Sequence, residues 1–167
     1  AFRLNYDGEG ALEKNAVTFQ VSEKALIEGK TVIIYPEAGH QDKHWLGTFS
    51  LGYTKMAFEA AEMAKFEKDV QILSACNHYS HYFGLRNRML VKFGTPISLQ
   101  PYYELYKTKP RTAQRDVNKL VREQISSMML DIRDLENYEV IDFIRTTYGE
   151  DYAKKQGVNP NNLPERL

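Results

Sequence analysis

A helix-like pattern followed at once by a short β-branched run constrains this fold most. Between residues 15 and 28 apolar side chains recur every fourth position, and Gly29 follows where such a helix would end. The recurring residues are Val17, Val21 and Ala25, with Leu26 widening the stripe. Thr31–Tyr35 comes next and is ended by Pro36, which predicts a strand buried on both faces. A helix joined directly to a buried strand favours an α/β fold.

The following residues continue this alternation. A second apolar stripe between residues 49 and 64 predicts a helix that begins near Thr48, whose hydroxyl can cap it. Further strands are predicted at Val70–Cys76 and Met89–Phe93, with a shorter extended piece around Ile97–Leu99. The predicted architecture is therefore α/β, with a mostly parallel central sheet flanked by helices.

The C-terminal part is predicted to be helical. An amphipathic pattern from Thr112 to Leu135 indicates a long helix, and Val140, Phe143 and Ile144 indicate a shorter one behind it. We predict that residues 1–167 form a single domain with a helical extension over about 110–155 and a loose tail over 156–167.

Composition excludes several classes of partner. The 22 Lys and Arg residues balance 22 Asp and Glu residues, so no bulk positive charge favours nucleic acid. A single cysteine excludes an intramolecular disulfide, and we predict that Cys76 is a small buried hydrophobic residue. The strictly apolar runs fall far short of the ~20 residues that a membrane-spanning helix needs.

The segment Tyr35-Pro36-Glu37-Ala38-Gly39-His40 carries the clearest chemical signal. It places a carboxylate, two small residues and an imidazole where the predicted strand ends, which is where open α/β sheets bind ligands. A helix beginning near Thr48 would offer free backbone N–H groups to an anion such as a phosphate. The alternative is an ordinary strand-to-helix turn in which Glu37 is a solvated or capping carboxylate.

All four histidines fall in two clusters. The pairs are His40 with His44, and His78 with His81. Such spacing can bind zinc, but neither a Cys ligand set nor a His-Glu-x-x-His helix accompanies it, so we predict no metal site. Hydrogen bonding around a polar cleft is favoured, since neighbouring strand ends would bring the clusters together.

A small basic group lies beside aromatic residues after the second cluster. It consists of Arg86, Arg88 and Lys92, next to Tyr79, Tyr82 and Phe83. Without a wider basic patch, this arrangement favours a structural role or an anionic lipid headgroup over a stacked nucleic-acid base.

Ile33–His40 resembles the third motif of the 1-acylglycerol-3-phosphate acyltransferase family, the glycerolipid acyltransferases, in which the block reads Phe-Pro-Glu-Gly-Thr-Arg. Further segments are similar to family blocks in the same order: Trp45-Leu-Gly47 before an Ala-rich helix, Val70–Ala75, and Phe93-Gly-Thr-Pro-Ile97. The resemblance extends from Arg3 to about Leu99, and Pro36-Glu37 is its sharpest element.

The resemblance implies an α/β sandwich that transfers a fatty acyl group from acyl-CoA or acyl carrier protein to a lysolipid hydroxyl. It also implies a membrane-associated enzyme on the cytoplasmic side, with no cofactor beyond the acyl thioester. The family's catalytic base is a His followed by four residues and an Asp. The four histidines here are instead followed at that distance by Trp45, Phe49, Phe83 and Arg86. We therefore expect that the motif lies upstream of an N-terminally truncated fragment, which is inactive alone.

The resemblance also assigns substrate-binding residues. These are Pro36, Glu37, Ala38, Gly39 and His40 of the third motif, with Arg3 contacting phosphate if it is the second-motif Arg. Because His40 replaces a permanently charged Arg, the acceptor is left open between lysophosphatidate and a lyso-aminolipid. Two rival functions remain: a non-catalytic lipid- or acyl-carrier-binding module of the same fold, and a metallohydrolase built on the His clusters.

Overall fold

The computed structural model describes residues 13–37, 43–79 and 89–159, which fall into two compact units. Unit 1 contains the described residues 13–37, 48–72 and 96–121. Unit 2 contains the described residues 43–47, 73–79, 89–95 and 122–159.

Helices and short strands are mixed along the chain, in agreement with the predicted mixture of α and β structure. In chain order the elements are α1 (Glu13–Ile27), α2 (Gly52–Met63), β1 (Gln71–Ile72), β2 (Ala75–Tyr79), β3 (Met89–Phe93), β4 (Ile97–Ser98), a 3-10 helix (Gln100–Tyr102), α3 (Tyr103–Thr108), α4 (Pro110–Met128) and α5 (Tyr138–Lys155). Helix α4 begins in unit 1, and its residues from Arg122 onward belong to unit 2.

The strand pairs of the described residues are antiparallel. Strand β1 pairs with β4, and β2 pairs with β3 with Ala75 opposite Phe93 and Tyr79 opposite Met89. The prediction of a mostly parallel sheet is therefore wrong for these strands. A parallel crossover needs about a dozen or more residues, whereas only residues 80–88 separate β2 from β3. So short a connection favours an antiparallel return.

Residues 31–36 do not form the predicted buried strand. Ile33 is 79% exposed and Tyr35 is 81% exposed, and no strand among the described residues pairs with this segment. Its end is fixed instead by an isolated antiparallel bridge between Glu37 and Phe49. Burial on both faces requires neighbouring strands, and within the described residues no strand pairs with residues 31–36, of which Val32 and Ile34 are half-buried.

Helix α2 forms the core of unit 1 with the face that its sequence predicts. Phe58 is fully buried, and its ring stacks on that of Tyr106 with centroids 4.5 Å apart and an interplanar angle of 5°. The other buried residues of this segment are Phe49, Tyr53, Thr54, Met56, Ala57, Ala60 and Ala61. The helix begins at Gly52 rather than near Thr48, because the Glu37–Phe49 bridge keeps the preceding residues extended.

Helix α1 forms as predicted but turns a different face inward. Val17 and Val21 are 62% and 63% exposed, so the apolar stripe does not face the core. Helix α1 packs against α2, and Glu23 is only 7% exposed. The Glu23 carboxyl shares a hydrogen bond with Glu59 of α2. Burial, followed by the charge of Glu59, raises the pKa of Glu23.

The C-terminal helices follow the prediction in part. The inner face of α4 is buried at every fourth residue, namely Ala113, Val117, Val121 and Ile125. The helix ends at Met128 rather than at Leu135, since the backbone N–H of Ile132 donates to the carbonyl oxygen of His44 at 2.7 Å. Helix α5 has 18 residues and leaves its predicted apolar positions exposed: Val140, Phe143 and Ile144.

We expect the substitution Glu23→Gln to stabilise the chain at neutral pH. An amide can donate to the Glu59 carboxylate without being ionised, whereas Glu23 must stay protonated to donate or place a second negative charge beside Glu59, which Lys55 offsets in part from 3.6 Å. The expected gain in the free energy of unfolding is on the order of 1 kcal/mol, because Gln keeps the hydrogen bond to Glu59 without the cost of holding a proton or a charge at position 23. Urea unfolding at pH 7 measures this gain. Since a raised carboxyl pKa costs stability only above the unfolded value, the gain should shrink at pH 4; an equal gain at both pH values would contradict this account.

Gly94 lies in a tightly packed link between β3 and β4. Its backbone N–H donates to the Ser74 carbonyl oxygen at 2.9 Å, and Nε2 of Gln124 donates to the Thr95 carbonyl oxygen at 2.9 Å. A Cβ added at Gly94 would lie 2.6 Å from Cδ of Gln124. The position therefore has no room for a larger residue while Gln124 keeps its hydrogen bond.

We expect Gly94→Ala to lower the free energy of unfolding by about 1–3 kcal/mol, the usual cost of overpacking. In a Gln124→Ala background the same substitution should cost much less, because the clashing side chain is gone. A double-mutant cycle by urea unfolding measures the difference. An equal cost in both backgrounds would show that Gln124 does not set this constraint.

Candidate functional site

The Pro36-Glu37 pair is fixed through its backbone to the residues that precede α2. The Pro36 carbonyl oxygen accepts a hydrogen bond from the Ser50 N–H at 3.1 Å, and Glu37 forms the bridge to Phe49. Phe49 is only 5% exposed and packs edge-to-face on Tyr53, with ring centroids 6.4 Å apart. The Glu37 residue itself is exposed. A buried aromatic residue therefore anchors the backbone of Glu37, whose side chain lies at an exposed position.

The structure places two of the predicted substrate-binding residues, Pro36 and Glu37. The remaining predicted binding residues lie outside the described residues: Arg3, Ala38, Gly39 and His40. The same holds for His81, Arg86 and Arg88 of the polar clusters.

His44 of unit 2 lies at the centre of a hydrogen-bond network. Its backbone N–H donates to the Tyr138 hydroxyl at 2.8 Å, and Nη2 of Arg145 lies 3.2 Å from its Nε2. Because a guanidinium only donates, Nε2 accepts and the neutral ring carries its proton on Nδ1. Arg145 also pairs with Asp142 at 2.7 Å. Burial, followed by the Arg145 charge, lowers the pKa of His44.

The residues around His44 are anchored to the same part of unit 2. Nζ of Lys43 lies 5.3 Å from the Trp45 ring centroid and 4.8 Å from that of Tyr138, and it pairs with Glu139 at 3.1 Å. The Trp45 and Tyr138 rings meet edge-to-face at 5.6 Å. The arrangement holds residues 43–46 against the start of α5. Sequence reasoning singled out His44 but not Tyr138 or Arg145, whose only local signal is the Asp142–Arg145 spacing of three residues.

His78 forms a second buried polar group in unit 2. Its Nε2 lies 3.4 Å from Sγ of Cys76, and both residues are 8% exposed. Burial, followed by the Lys92 charge, lowers the pKa of His78, and burial raises the pKa of the Cys76 thiol. A thiol with a raised pKa stays protonated, so Cys76 is the buried hydrophobic residue that the sequence predicts rather than an activated nucleophile.

His78 also lowers the pKa of His44, after burial and the Arg145 charge. The prediction that the two histidine clusters come together stays a prediction, because His40 and His81 lie outside the described residues. Within residues 13–37, 43–79 and 89–159, no group of three or more His, Cys, Asp or Glu side chains is placed to hold a metal ion. Both described histidines, His44 and His78, have a lowered pKa and lie within hydrogen-bond distance of another side chain.

We expect stability to depend on pH through these two histidines. A buried His with a lowered pKa stays neutral in the folded chain, whereas the unfolded chain takes up a proton below about pH 6.5. This contribution is fully favourable above pH 6.5 and is lost as the pH falls below it. The double variant His44→Gln/His78→Gln should therefore lose less of its melting temperature between pH 7.5 and pH 5.5 than the native chain does.

The comparison between the two proteins is needed because Glu23 has the opposite effect: its raised pKa favours the folded chain as the pH falls. Both proteins contain Glu23, so its effect cancels in the difference. Equal losses of melting temperature in the two proteins would contradict the assignment to His44 and His78.

Comparison with known proteins relates the chain to acyltransferases. No family model matches the sequence, and no solved structure matches it. It is 28% identical over 127 residues to an uncharacterized acyltransferase of Schizosaccharomyces pombe, across 75% of this chain. It is 29% identical over 135 residues to glycerol-3-phosphate O-acyltransferase 2 of Saccharomyces cerevisiae, across 80% of this chain.

The matched regions span 19% and 18% of these two relatives, so the chain corresponds to about a fifth of their length. The similarity supports the broader part of the resemblance read from the Pro36-Glu37 motif, which is acyl transfer. This chain is similar to acyltransferases across at least three quarters of its length.

Proposed function

We propose that this chain is part of an enzyme that transfers a fatty acyl group from a thioester to a hydroxyl of a glycerol-phosphate acceptor. The similarity to two acyltransferases across 75% and 80% of the chain carries this proposal. One of those relatives is named for glycerol 3-phosphate, and the motif at Ile33–His40 resembles that of a family acting on lysophosphatidate. Both acceptors share a glycerol phosphate with a free hydroxyl.

In the proposed reaction the acceptor hydroxyl oxygen attacks the thioester carbonyl carbon. The new C–O bond forms as the C–S bond breaks, the hydroxyl proton passes to a general base, and the donor leaves as a thiol. The base is a His followed five positions later by an Asp, a pair that this sequence does not contain. The Asp orients the imidazole and stabilises its charged form. The donor is acyl-CoA or acyl carrier protein.

In this reaction Glu37 binds the acceptor. Glu37 is an exposed residue, and the bridge to Phe49 fixes its backbone, so its carboxylate can accept a hydrogen bond from an acceptor hydroxyl. A carboxylate cannot bind the acceptor's phosphate, which would need cationic or N–H donors elsewhere in the site. The role of Glu37 is therefore to position the glycerol part of the acceptor.

The proposed enzyme works at a membrane, because its acyl products are lipids, and the resemblance to the glycerolipid acyltransferases implies the cytoplasmic side. Among the residues that the structure describes, none of the helices has the length and apolar character needed to cross a bilayer.

We expect Glu37→Gln in the intact protein that carries this sequence to lower kcat/KM for the acceptor about tenfold, which equals the loss of about 1.4 kcal/mol. The loss should fall mainly on KM for the acceptor, since Glu37 binds rather than transfers protons. Acyl transfer to glycerol 3-phosphate, lysophosphatidate and lyso-aminolipids, each with both thioester donors, measures it.

The matched control is Glu67→Gln, which removes an exposed carboxylate of unit 1 elsewhere. This control should keep native kinetics. Identical kinetic constants for the two variants would remove Glu37 from the site. If the intact, folded protein transfers no acyl group to any of these acceptors, the proposed function is wrong and a lipid-binding module is the better description.

A further inference from the structure

Helix α5 presents an apolar side to solvent and a polar side to the protein. On the inner side Tyr138 and Ala153 are buried, and the half-buried Arg145 and Asp142 pair with each other at 2.7 Å. The outer side carries six exposed apolar residues, which we call the α5 patch: Val140, Ile141, Phe143, Ile144, Tyr148 and Tyr152. At 3.6 residues per turn these six cover about half of the helix circumference. A helix on the surface of a globular protein normally takes the opposite orientation.

The α5 patch is large enough to be an interface. The exposed fractions of its residues run from 36% at Ile141 to 66% at Tyr152. With about 200 Å² for a whole Phe or Tyr side chain, its three aromatic residues alone expose roughly 370 Å². The three aliphatic residues and the neighbouring Leu135, which is 57% exposed, bring the area close to the about 800 Å² that each partner buries in a standard interface.

The α5 patch is also complementary to itself about Ile144. When two copies of α5 pack antiparallel with Ile144 at the two-fold axis, each residue before Ile144 faces the residue equally far behind it in the second copy. Val140 then faces Tyr148, and Tyr152 reaches the residues just before the helix, where Leu135 is exposed. Apolar residues meet apolar residues on both sides of the axis, as an interface between two identical surfaces requires.

The charges at the two ends of α5 favour the same arrangement. Glu136 lies just before the helix and Lys155 is its last residue, and both are exposed. Antiparallel packing brings the acidic end of one helix to the basic end of the other and also opposes the two helix dipoles. Glu139 and Lys154 already pair with other residues of their own chain. Asp151, which lies on the patch side, is compensated by Lys154 at 3.7 Å.

An anionic bilayer suits the α5 patch less well than a protein surface does. Residues 134–155 contain six Asp or Glu residues and three Lys or Arg residues, whereas helices that lie on a bilayer are rich in Lys and Arg on their polar face. Tyr and Phe are enriched in protein–protein interfaces. We propose that the α5 patch binds a second copy of this chain, through antiparallel packing of one α5 against the other.

The first test is the oligomeric state of the 167-residue chain and of the intact protein that carries it, measured by analytical ultracentrifugation. Both should be dimers. The variant Ile144→Lys places two like charges face to face at the axis, so it should raise the dissociation constant of the dimer by a factor on the order of 100. The matched control is Val17→Lys, at an apolar helix position of unit 1 that is 62% exposed. The control should dimerise like the native chain, and thermal melts should show both variants folded.

The second test is the direction of packing. Lys155→Glu and Glu136→Lys should each weaken the dimer about two- to fivefold, the usual range for an exposed ion pair. The two substitutions combined exchange the charges, so the double variant should regain most of the native affinity. If the two losses simply add in the double variant, the antiparallel contact is wrong and the proposal is overturned.

Other occupants of the α5 patch give different results, and each overturns the proposal. A monomeric chain that sediments with phosphatidylcholine vesicles, and loses that binding in Ile144→Lys, would show that a bilayer covers the patch. A dimeric 167-residue chain within a monomeric intact protein would show that the rest of the intact polypeptide covers it. Equal dissociation constants for Ile144→Lys and Val17→Lys would remove α5 from the interface. These measurements do not involve acyl transfer, so they stand or fail independently of the proposed function.

Discussion

Unit 1 depends on the burial of one face of α2. Phe58 has no exposed surface and stacks on Tyr106, and burying such a ring contributes about 1.5–3 kcal/mol. The same face fixes the start of the helix, because Tyr53 must be buried at one end while Phe49 packs edge-to-face on it. Glu37 bridges to Phe49, so the position of the candidate site residue is set by core packing rather than by its own side chain.

Helical periodicity predicted which residues share a face better than it predicted which face is covered. For α2 and α4 the predicted apolar face is also the buried face, since the apolar stripes containing Met56 and Val117 lie in the core. For α1 the predicted apolar face and the buried face differ: Val17 faces solvent, and the face that packs against α2 includes Glu23. A carboxyl can occupy that position because Glu59 supplies a hydrogen bond. The periodic pattern contains no information on such a partner, which lies on another helix.

The strand directions and the polar network of unit 2 could not be predicted from the sequence, for a related reason. The segments of β2 and β3 were recognisable by composition, but their antiparallel pairing is a contact between distant residues. His44 was recognisable as a polar residue near the motif, whereas Arg145 lies 101 positions further along the chain. The motif at Pro36-Glu37 predicted the class of reaction, which is acyl transfer. No sequence pattern predicted the bridge between Glu37 and Phe49 that holds its backbone.

Two features of the structure break local rules, and their costs differ because their exposure differs. The buried carboxyl of Glu23 must stay protonated or face the charge of Glu59 in a region with little water, so it weakens the packing of α1 on α2. Arg111 opposes the dipole of α4 at an exposed position, where the cost is about 0.3–1 kcal/mol and is reduced by salt.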